Sequence, residues 1–320
     1  MLTPRRRQQK LLSIIVPVYN EQDVICDFLH ALVHASKDWG LNIEIIIIND
    51  ASKDSTLLKL KELKQQLPIK IISFSRNFGK ECALTAGLEH CKGDMAVLVD
   101  ADFQHPLEVI PEFIQAWEEG YDMVYGVRQS RGDEKPVKRW LTHTFYRLFD
   151  KITPIDIPRN AGDFRLLDRK VIDAMNKLQE RQRYMKGLYA WVGFNSKSIY
   201  FTVQQRAAGT SSWSFFRLLE LALTGITSFS DVPLRVWSII GAIISLLAFV
   251  YGSFILIKTL VIGSDLPGFA TLIVAIMFLG GIQLLSVGIL GEYISRIFNE
   301  VKQRPKYIVA ESDGFDEAMK

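Results

Sequence analysis

Asp100 and Asp102 stand one residue apart where the apolar run Val97–Val99 ends, in the stretch VLVDADFQHP. On a strand, two carboxylates at that spacing share a face, and they converge only where something cancels their repulsion. A hard divalent cation, Mg²⁺ or Mn²⁺, does this and completes its shell with phosphate oxygens and water. A solvated surface turn is the other reading, because a bare Asp-x-Asp arises often by chance. The sequence has no Gly-x-Gly-x-x-Gly after its first strand and no Gly-x-x-x-x-Gly-Lys-Ser/Thr, which argues against dinucleotide enzymes and P-loop NTPases. A bound nucleoside diphosphate would then need a metal at Asp100 and Asp102 to meet its charge.

These carboxylates need a scaffold. Strand-like runs at Leu12–Val18, Ile43–Asn49, Ile69–Phe74, Met95–Asp100 and Tyr121–Gly126 alternate with helical patterns at about Glu21–Lys37, Asp54–Gln66, Lys80–His90 and Pro106–Glu118. Strands that are apolar on both faces and separated by helices predict an α/β fold with a mostly parallel sheet, covered on both sides. In open sheets of this kind, ligands bind beyond the carboxyl ends of the strands. A polar cluster follows each run: Tyr19-Asn20-Glu21, Asn49-Asp50, Arg76-Asn77, Asp100-Ala101-Asp102 and Arg128. Turn residues gather at such places too, but five clusters on one edge predict a binding site.

The rest of the 320-residue chain reads differently. Val236–Ile257 and Leu266–Gly291 are 22 and 26 residues without a formal charge, and each is longer than the ~20 residues that cross a bilayer as a helix. Two such runs in tandem predict a membrane hairpin. Arg217 and Arg235 precede it and Arg296, Lys302, Arg304 and Lys306 follow it, whereas the joining loop Ile262–Gly268 has no Lys or Arg. The positive-inside rule puts both long ends in the cytoplasm of a multi-pass protein, and nothing at the start reads as a signal peptide. Cys26, Cys82 and Cys91 have no metal-ligand spacing and suit a reducing compartment. The net charge of +3 gives no footprint for nucleic acid and fits an anionic lipid surface.

Four segments in order are similar to inverting family 2 glycosyltransferases of the GT-A, Rossmann-like fold: Pro17-Val18-Tyr19-Asn20-Glu21, Asn49-Asp50-Ala51-Ser52, Arg76-Asn77-Phe78-Gly79-Lys80 and Asp100–Pro106. Further segments narrow the resemblance to the polyprenyl-phosphate glycosyltransferases, the bactoprenol glucosyltransferase and dolichol-phosphate-mannose synthase group. They are Gly126-Val127-Arg128-x-x-Arg131, Asn160–Arg165, Arg206-x-x-Gly209-x-Ser211-Ser212-Trp213 and the terminal hairpin ending Leu290–Arg296. The match runs from about Leu12 to Lys306. It implies a cytoplasmic GT-A domain over 1–232, a transmembrane hairpin over 233–295 with spans at about 235–258 and 268–291, and a cytoplasmic tail over 296–320.

The resemblance also implies residue roles. Pro17, Tyr19, Glu21, Asn49, Asp50, Arg76, Lys80, Asp100, Ala101 and Asp102 would bind the nucleotide sugar, with Asn49 standing where an Asp is more usual. Asp100, Asp102 and Gln104 would hold Mg²⁺ or Mn²⁺, although Gln104 could instead cap the helix near Pro106. Arg128, Arg131, Arg206 and Ser211 would meet the acceptor phosphate, since guanidinium pairs with phosphate through parallel hydrogen bonds, and surface ion pairing is the plainer reading of each arginine. Asp163 matches the presumed catalytic base, and a carboxylate there could equally orient the acceptor or stabilise positive charge on the sugar.

The expected reaction is attack by a lipid phosphate, undecaprenyl phosphate, on a nucleotide sugar, with UDP-glucose as donor and cell-envelope glycan modification as the outcome. GDP-mannose or an aminoarabinose-type UDP-sugar are the alternative donors, and a non-catalytic nucleotide-sugar-binding scaffold is the alternative of another class. The resemblance further implies a homo-oligomer, a tetramer, at the bacterial inner membrane, with a flippase and a downstream glycosyltransferase as partners. Two aromatic and basic segments, at about 137–151 and 213–230, read as amphipathic helices in the membrane interface or packed on the domain. A processive polysaccharide synthase would carry Gln-x-x-Arg-Trp and more spans, which this chain lacks.

Overall fold

The computed structural model describes residues 5, 9–129, 158, 161–181, 183–202, 230, 232–262 and 268–315. Its strands are β1 (Leu11–Val18), β2 (Asn42–Asn49), β3 (Ile69–Phe74), β4 (Met95–Leu98), β5 (Met123–Arg128), β6 (Ala161–Asp168), β7 (Ser196–Phe201) and β8 (Val309–Asp313). They form one sheet in the order β7-β5-β6-β4-β1-β2-β3-β8. β4, β1, β2 and β3 pair in parallel, as do β5 and β7. β6 enters antiparallel between β4 and β5, and β8 lies antiparallel on β3.

Helices cover both faces because the strands are apolar on both. Ile14, Val16, Ile45 and Ile47 pack under α1 (Ile25–Ser36), α2 (Thr56–Lys64) and α4 (Ile110–Glu118), where Phe28, Leu60 and Phe113 are buried. Ile15, Ile46, Ile48 and Leu98 face α3 (Lys80–His90), α5 (Arg169–Lys177) and α6 (Met185–Trp191) through Leu84, Ile172 and Leu188. The odd–even split of consecutive isoleucines between two cores is the period-2 geometry of a strand buried on both sides. α3 lies close on the sheet, since a Cβ on Gly87 would meet Ile15 Cγ2 at 2.2 Å.

Two elements run differently from the sequence reading. The fourth strand stops at Leu98, not Asp100, so Asp100 and Asp102 occupy a turn and not one strand face. The cause is local competition for backbone groups: His105 Nδ1 accepts the Asp100 N–H at 3.2 Å, Asp102 Oδ1 accepts the Gln104 N–H at 3.0 Å, and Phe103 takes φ 59°. The segment read as a tail from residue 296 also folds. The second long helix continues to Val301, and Val309–Asp313 then becomes the edge strand β8.

The long helices are α7 (Val232–Ile262) and α8 (Phe269–Val301), containing apolar stretches at Leu234–Ile255 and Val274–Val301 of mean hydropathy 2.2 and 2.1. None of either stretch is buried within the protein, and aqueous surfaces do not carry apolar area on that scale. The hairpin therefore associates the protein with a membrane. At 1.5 Å per residue, α8 is about 50 Å long, well beyond the ~30 Å hydrocarbon layer. Its last turn meets the α/β domain: the Arg181 N–H donates to Glu300 at 2.9 Å and Arg181 Nε to the Arg304 carbonyl at 2.9 Å. The segments at 137–151 and 213–229 lie outside the described residues.

Beyond α8 the chain is fastened to the sheet. The Tyr307 ring stacks on Phe74 at 4.9 Å and its hydroxyl donates to Glu89 at 2.6 Å, while Lys61 pairs with Glu311 at 2.8 Å and Lys64 with Asp313. The exposed ion pairs contribute little, so the stacked ring is the main fastening. Tyr307→Ala is expected to reduce unfolding free energy by about 1–3 kcal/mol. Denaturant unfolding of the detergent-solubilised protein checks this, and an unchanged midpoint would make the tail a passive addition.

Candidate active site

The predicted clusters converge at the carboxyl ends of the parallel strands. The loops after β1 and β2 are laced together: the Asn20 N–H donates to Ser52 Oγ at 2.9 Å, the Lys53 N–H to Asn20 Oδ1 at 2.8 Å and the Glu21 N–H to Thr56 Oγ1 at 2.9 Å. Pro17 sits in β1 opposite Ile48, and Tyr19 beyond the strand is 39% exposed, an apolar face open to a planar ligand. Arg76 is exposed, with its guanidinium 4.1 Å from the centre of the Phe78 ring.

Asn49 and Asp50 point their polar groups into the protein. Asn49 Nδ2 donates to Ser73 Oγ at 2.8 Å and Asn49 Oδ1 accepts the Ser52 N–H at 3.2 Å. The Asp50 oxygens accept the Phe78 and Gly79 N–H groups at 2.7 and 2.9 Å, and burial raises its pKa above the ordinary carboxylate value despite these bonds. Both are almost fully buried, so in this structure they brace the loop that carries Lys80. Gly79, at φ 95°, makes the bend from that loop into α3.

Lys80 is the hub. Its ammonium lies 2.7 Å from Asp100 and 3.1 Å from Asp163 Oδ2, joining a residue after β4 to one in β6. Burial pushes the ammonium's pKa down, but the two carboxylates outweigh it and hold the value above the usual lysine range. The reciprocal shift appears on both partners. Burial would raise Asp100, and Lys80 overcomes it; burial would raise Asp163, and Lys80 overcomes it against repulsion from Asp100. Both carboxylates are therefore held ionised below the usual range. One oxygen of Asp163, Oδ1, is buried with no hydrogen-bond partner among the described residues.

His105 is buried and neutral, because burial lowers its pKa more than Asp100 raises it. Its ring stacks on Phe164 at 4.7 Å, next to Asp163 in sequence, and it fixes the turn that carries Asp100. Ala101 is buried in that turn, and Pro106 at the start of the following helix offers no side-chain cap. Arg128, the exposed last residue of β5, acts electrostatically on Asp100 and His105. Arg131, Arg206 and Ser211 lie outside the described residues.

The donor set fits a hard divalent ion: carboxylate oxygens at Asp100 and Asp102, the first held ionised, with an unpartnered oxygen on neighbouring Asp163. Among the described residues no three His, Cys, Asp or Glu side chains are grouped as a metal site. Glu81, Arg165 and Lys186 also belong to the charged cluster and carried no assigned role in the sequence reading. Burial, and then Asp163, push Glu81 up to about 7. Arg165 was visible within the Asn160–Arg165 motif, whereas Lys186 had no sequence signal.

Residues 13–175 match Glycosyl transferase family 2, and residues 232–297 match the GtrB C-terminal hairpin. An uncharacterized glycosyltransferase of Synechocystis sp. is 46% identical over 306 residues, 95% of this chain and 96% of that protein. The bactoprenol glucosyl transferase of Shigella phage SfII is 44% identical over 302 residues, 94% and 98% of the two chains. A prophage bactoprenol glucosyl transferase homolog of Escherichia coli is 42% identical over 299 residues, 93% and 98%. The chain belongs to glycosyl transferase family 2, and it is a glycosyltransferase with a GT-A catalytic fold and a GtrB-type C-terminal hairpin.

Proposed function

We propose that this enzyme transfers glucose from UDP-glucose to a polyprenyl phosphate, undecaprenyl phosphate, at the cytoplasmic face of a bacterial plasma membrane. The observation that carries the reading is the near-full-length likeness, hairpin included, to proteins named bactoprenol glucosyl transferase. An enzyme whose acceptor is a lipid gains from an anchor that keeps its site near the bilayer, and the long apolar helices provide one.

In the proposed reaction an acceptor phosphate oxygen attacks the anomeric carbon, the bond to the diphosphate breaks, and UDP leaves with the electron pair, inverting the configuration. The nucleoside would lie over Pro17, Tyr19 and Glu21, with Arg76 and Lys80 toward the diphosphate. Asp100 and Asp102, with Gln104, would hold Mg²⁺ or Mn²⁺, which supplies Lewis-acid neutralisation of the leaving group. Arg128, with Arg131, Arg206 and Ser211, would hold the acceptor phosphate. A phosphate monoester is largely dianionic at neutral pH, so Asp163 is given the task of orienting charge at the reacting carbon. The domain would span 1–232 with β8 returning to it, and both ends of the hairpin would face the cytoplasm.

The test is to incubate the purified full-length protein with undecaprenyl phosphate and a panel of radiolabelled nucleotide sugars. Labelled lipid is expected from UDP-glucose at roughly tenfold or more over GDP-mannose or aminoarabinose-type donors. Label from another donor alone would replace the sugar assignment, and no lipid label from any donor would overturn the acceptor.

A further inference from the structure

Beside Asp163, on the face of β6 that meets α6, lies a cavity of about 120 Å³ whose lining includes Arg165, Lys186, Tyr189, Tyr125 and Phe194. Three of these carry hydrogen-bond donors without adequate partners. Arg165 is 4% exposed, and its Nε–H is buried with no partner among the described residues. Its other contacts are a bond to the Gly162 carbonyl at 2.5 Å, a weak one to Met123 Sδ at 3.6 Å, and the Tyr189 ring under the guanidinium at 3.6 Å. The Tyr189 hydroxyl is likewise buried and unpartnered among the described residues. Lys186 makes no hydrogen bond or ion pair among them.

Buried donors are nearly always satisfied, and an arginine cannot shed its charge to escape the cost. Asp163 and Glu81 act electrostatically on both cations, but neither carboxylate is hydrogen-bonded to them among the described residues. Asp163 is within ion-pair distance of Lys80, and Glu81, the other carboxylate acting on both Lys186 and Arg165, already accepts the Met185 N–H at 3.0 Å. Two cations and a phenol converging on one small space match a ligand that offers several acceptor oxygens and negative charge. The volume is far below the ~300–1,000 Å³ of sites for drug-sized ligands, which excludes a nucleotide and admits a single small group.

We propose that Arg165, Lys186 and Tyr189 form a second binding site, separate from the donor site, for a small oxyanion of the phosphate class. It adjoins the catalytic cluster: Arg165 is two residues from Asp163 on the same strand face, and Lys186 acts electrostatically on that carboxylate. An oxyanion there would draw both cations away from Asp163, linking anion occupancy to the charge felt at the reacting centre. The inference does not depend on the donor or acceptor proposed above, because it is tested by binding alone.

The probe is inorganic phosphate, titrated calorimetrically into the full-length protein in detergent. Saturating UDP blocks the donor site, and ionic strength is held constant with chloride. Saturable binding of one phosphate is expected, with Kd raised about tenfold or more in Lys186→Gln and severalfold in Tyr189→Phe. Both variants should unfold close to the wild-type midpoint, since neither the ammonium nor the hydroxyl makes a hydrogen bond among the described residues. Displacement by a short-chain polyprenyl phosphate would assign the site to the phosphate of a lipid, and undisturbed binding would assign it to a free anion; either supports the site. Absence of saturable binding, or equal affinity in the wild type and both variants, would overturn it and leave the cavity to water.

Discussion

Asp100→Ala and Asp102→Ala are each expected to reduce sugar transfer by about 10³-fold or more, because in the proposed reaction each would remove charge stabilisation from the leaving diphosphate. The fold should survive. Both residues lie beyond the last residue of β4, and the buried Val97 and Leu98 before them are untouched. Asp102→Ala loses the bond from the Gln104 N–H, which is worth about 1 kcal/mol at a turn. Asp100→Ala leaves Lys80 with Asp163 as its partner. Activity should also vanish in excess chelator and return with Mg²⁺ or Mn²⁺. Full turnover in chelator would remove the metal from the reading while leaving the carboxylates as direct contacts.

The Asp163→Asn variant separates two roles for that carboxylate. A group that removes the acceptor's last proton should become dispensable as pH rises past the second phosphate pKa, near ~6. A group that acts through its charge stays indispensable at every pH. The geometry favours the second role. Lys80 at 3.1 Å, aided by Lys186 and Arg165, holds Asp163 below the ordinary carboxylate range against both burial and Asp100. A carboxylate so stabilised in its charged form is a poor proton acceptor at neutral pH. The variant is expected to be slower by about 10²-fold or more, at a ratio to wild type that stays constant from pH 6 to about 8.5. Convergence of the two profiles above pH ~7.5, with both substrates still bound, would restore the base.

The parallel half of the sheet was legible because its signal is local. Ile14–Val16 and Ile45–Ile48 bury both faces, and only a strand inside a two-sided layer does that. Lys80–His90, read as helical from its pattern, folds as a helix over those same residues. The insertion of β6 between β4 and β5 was not legible, because Ala161–Asp168 pairs with residues that local periodicity does not report. For the site, the family resemblance named Asp100, Asp163 and Lys80 but did not reveal that one ammonium ties the two carboxylates together. Asn49 and Asp50, which the resemblance gives to the nucleotide sugar, make inward hydrogen bonds that no local pattern announces. Lys186 escaped entirely, since it enters the cluster only through the packing of α6 against the sheet.

The return of the chain to β3 after the hairpin sets an order on how the molecule is made. Lys61 and Glu311, paired across that edge, are 250 residues apart in sequence. A ribosome delivers the parallel strands first, the two apolar helices next and Val309–Asp313 last, so β3 presents an open edge throughout synthesis of the hairpin. The entropy of closing so long a loop grows only logarithmically with its length, so the delay and not the closure is the hazard. The sheet is thus completed only after both helices have been synthesised, which makes the capture of β8 a late step in the making of the domain.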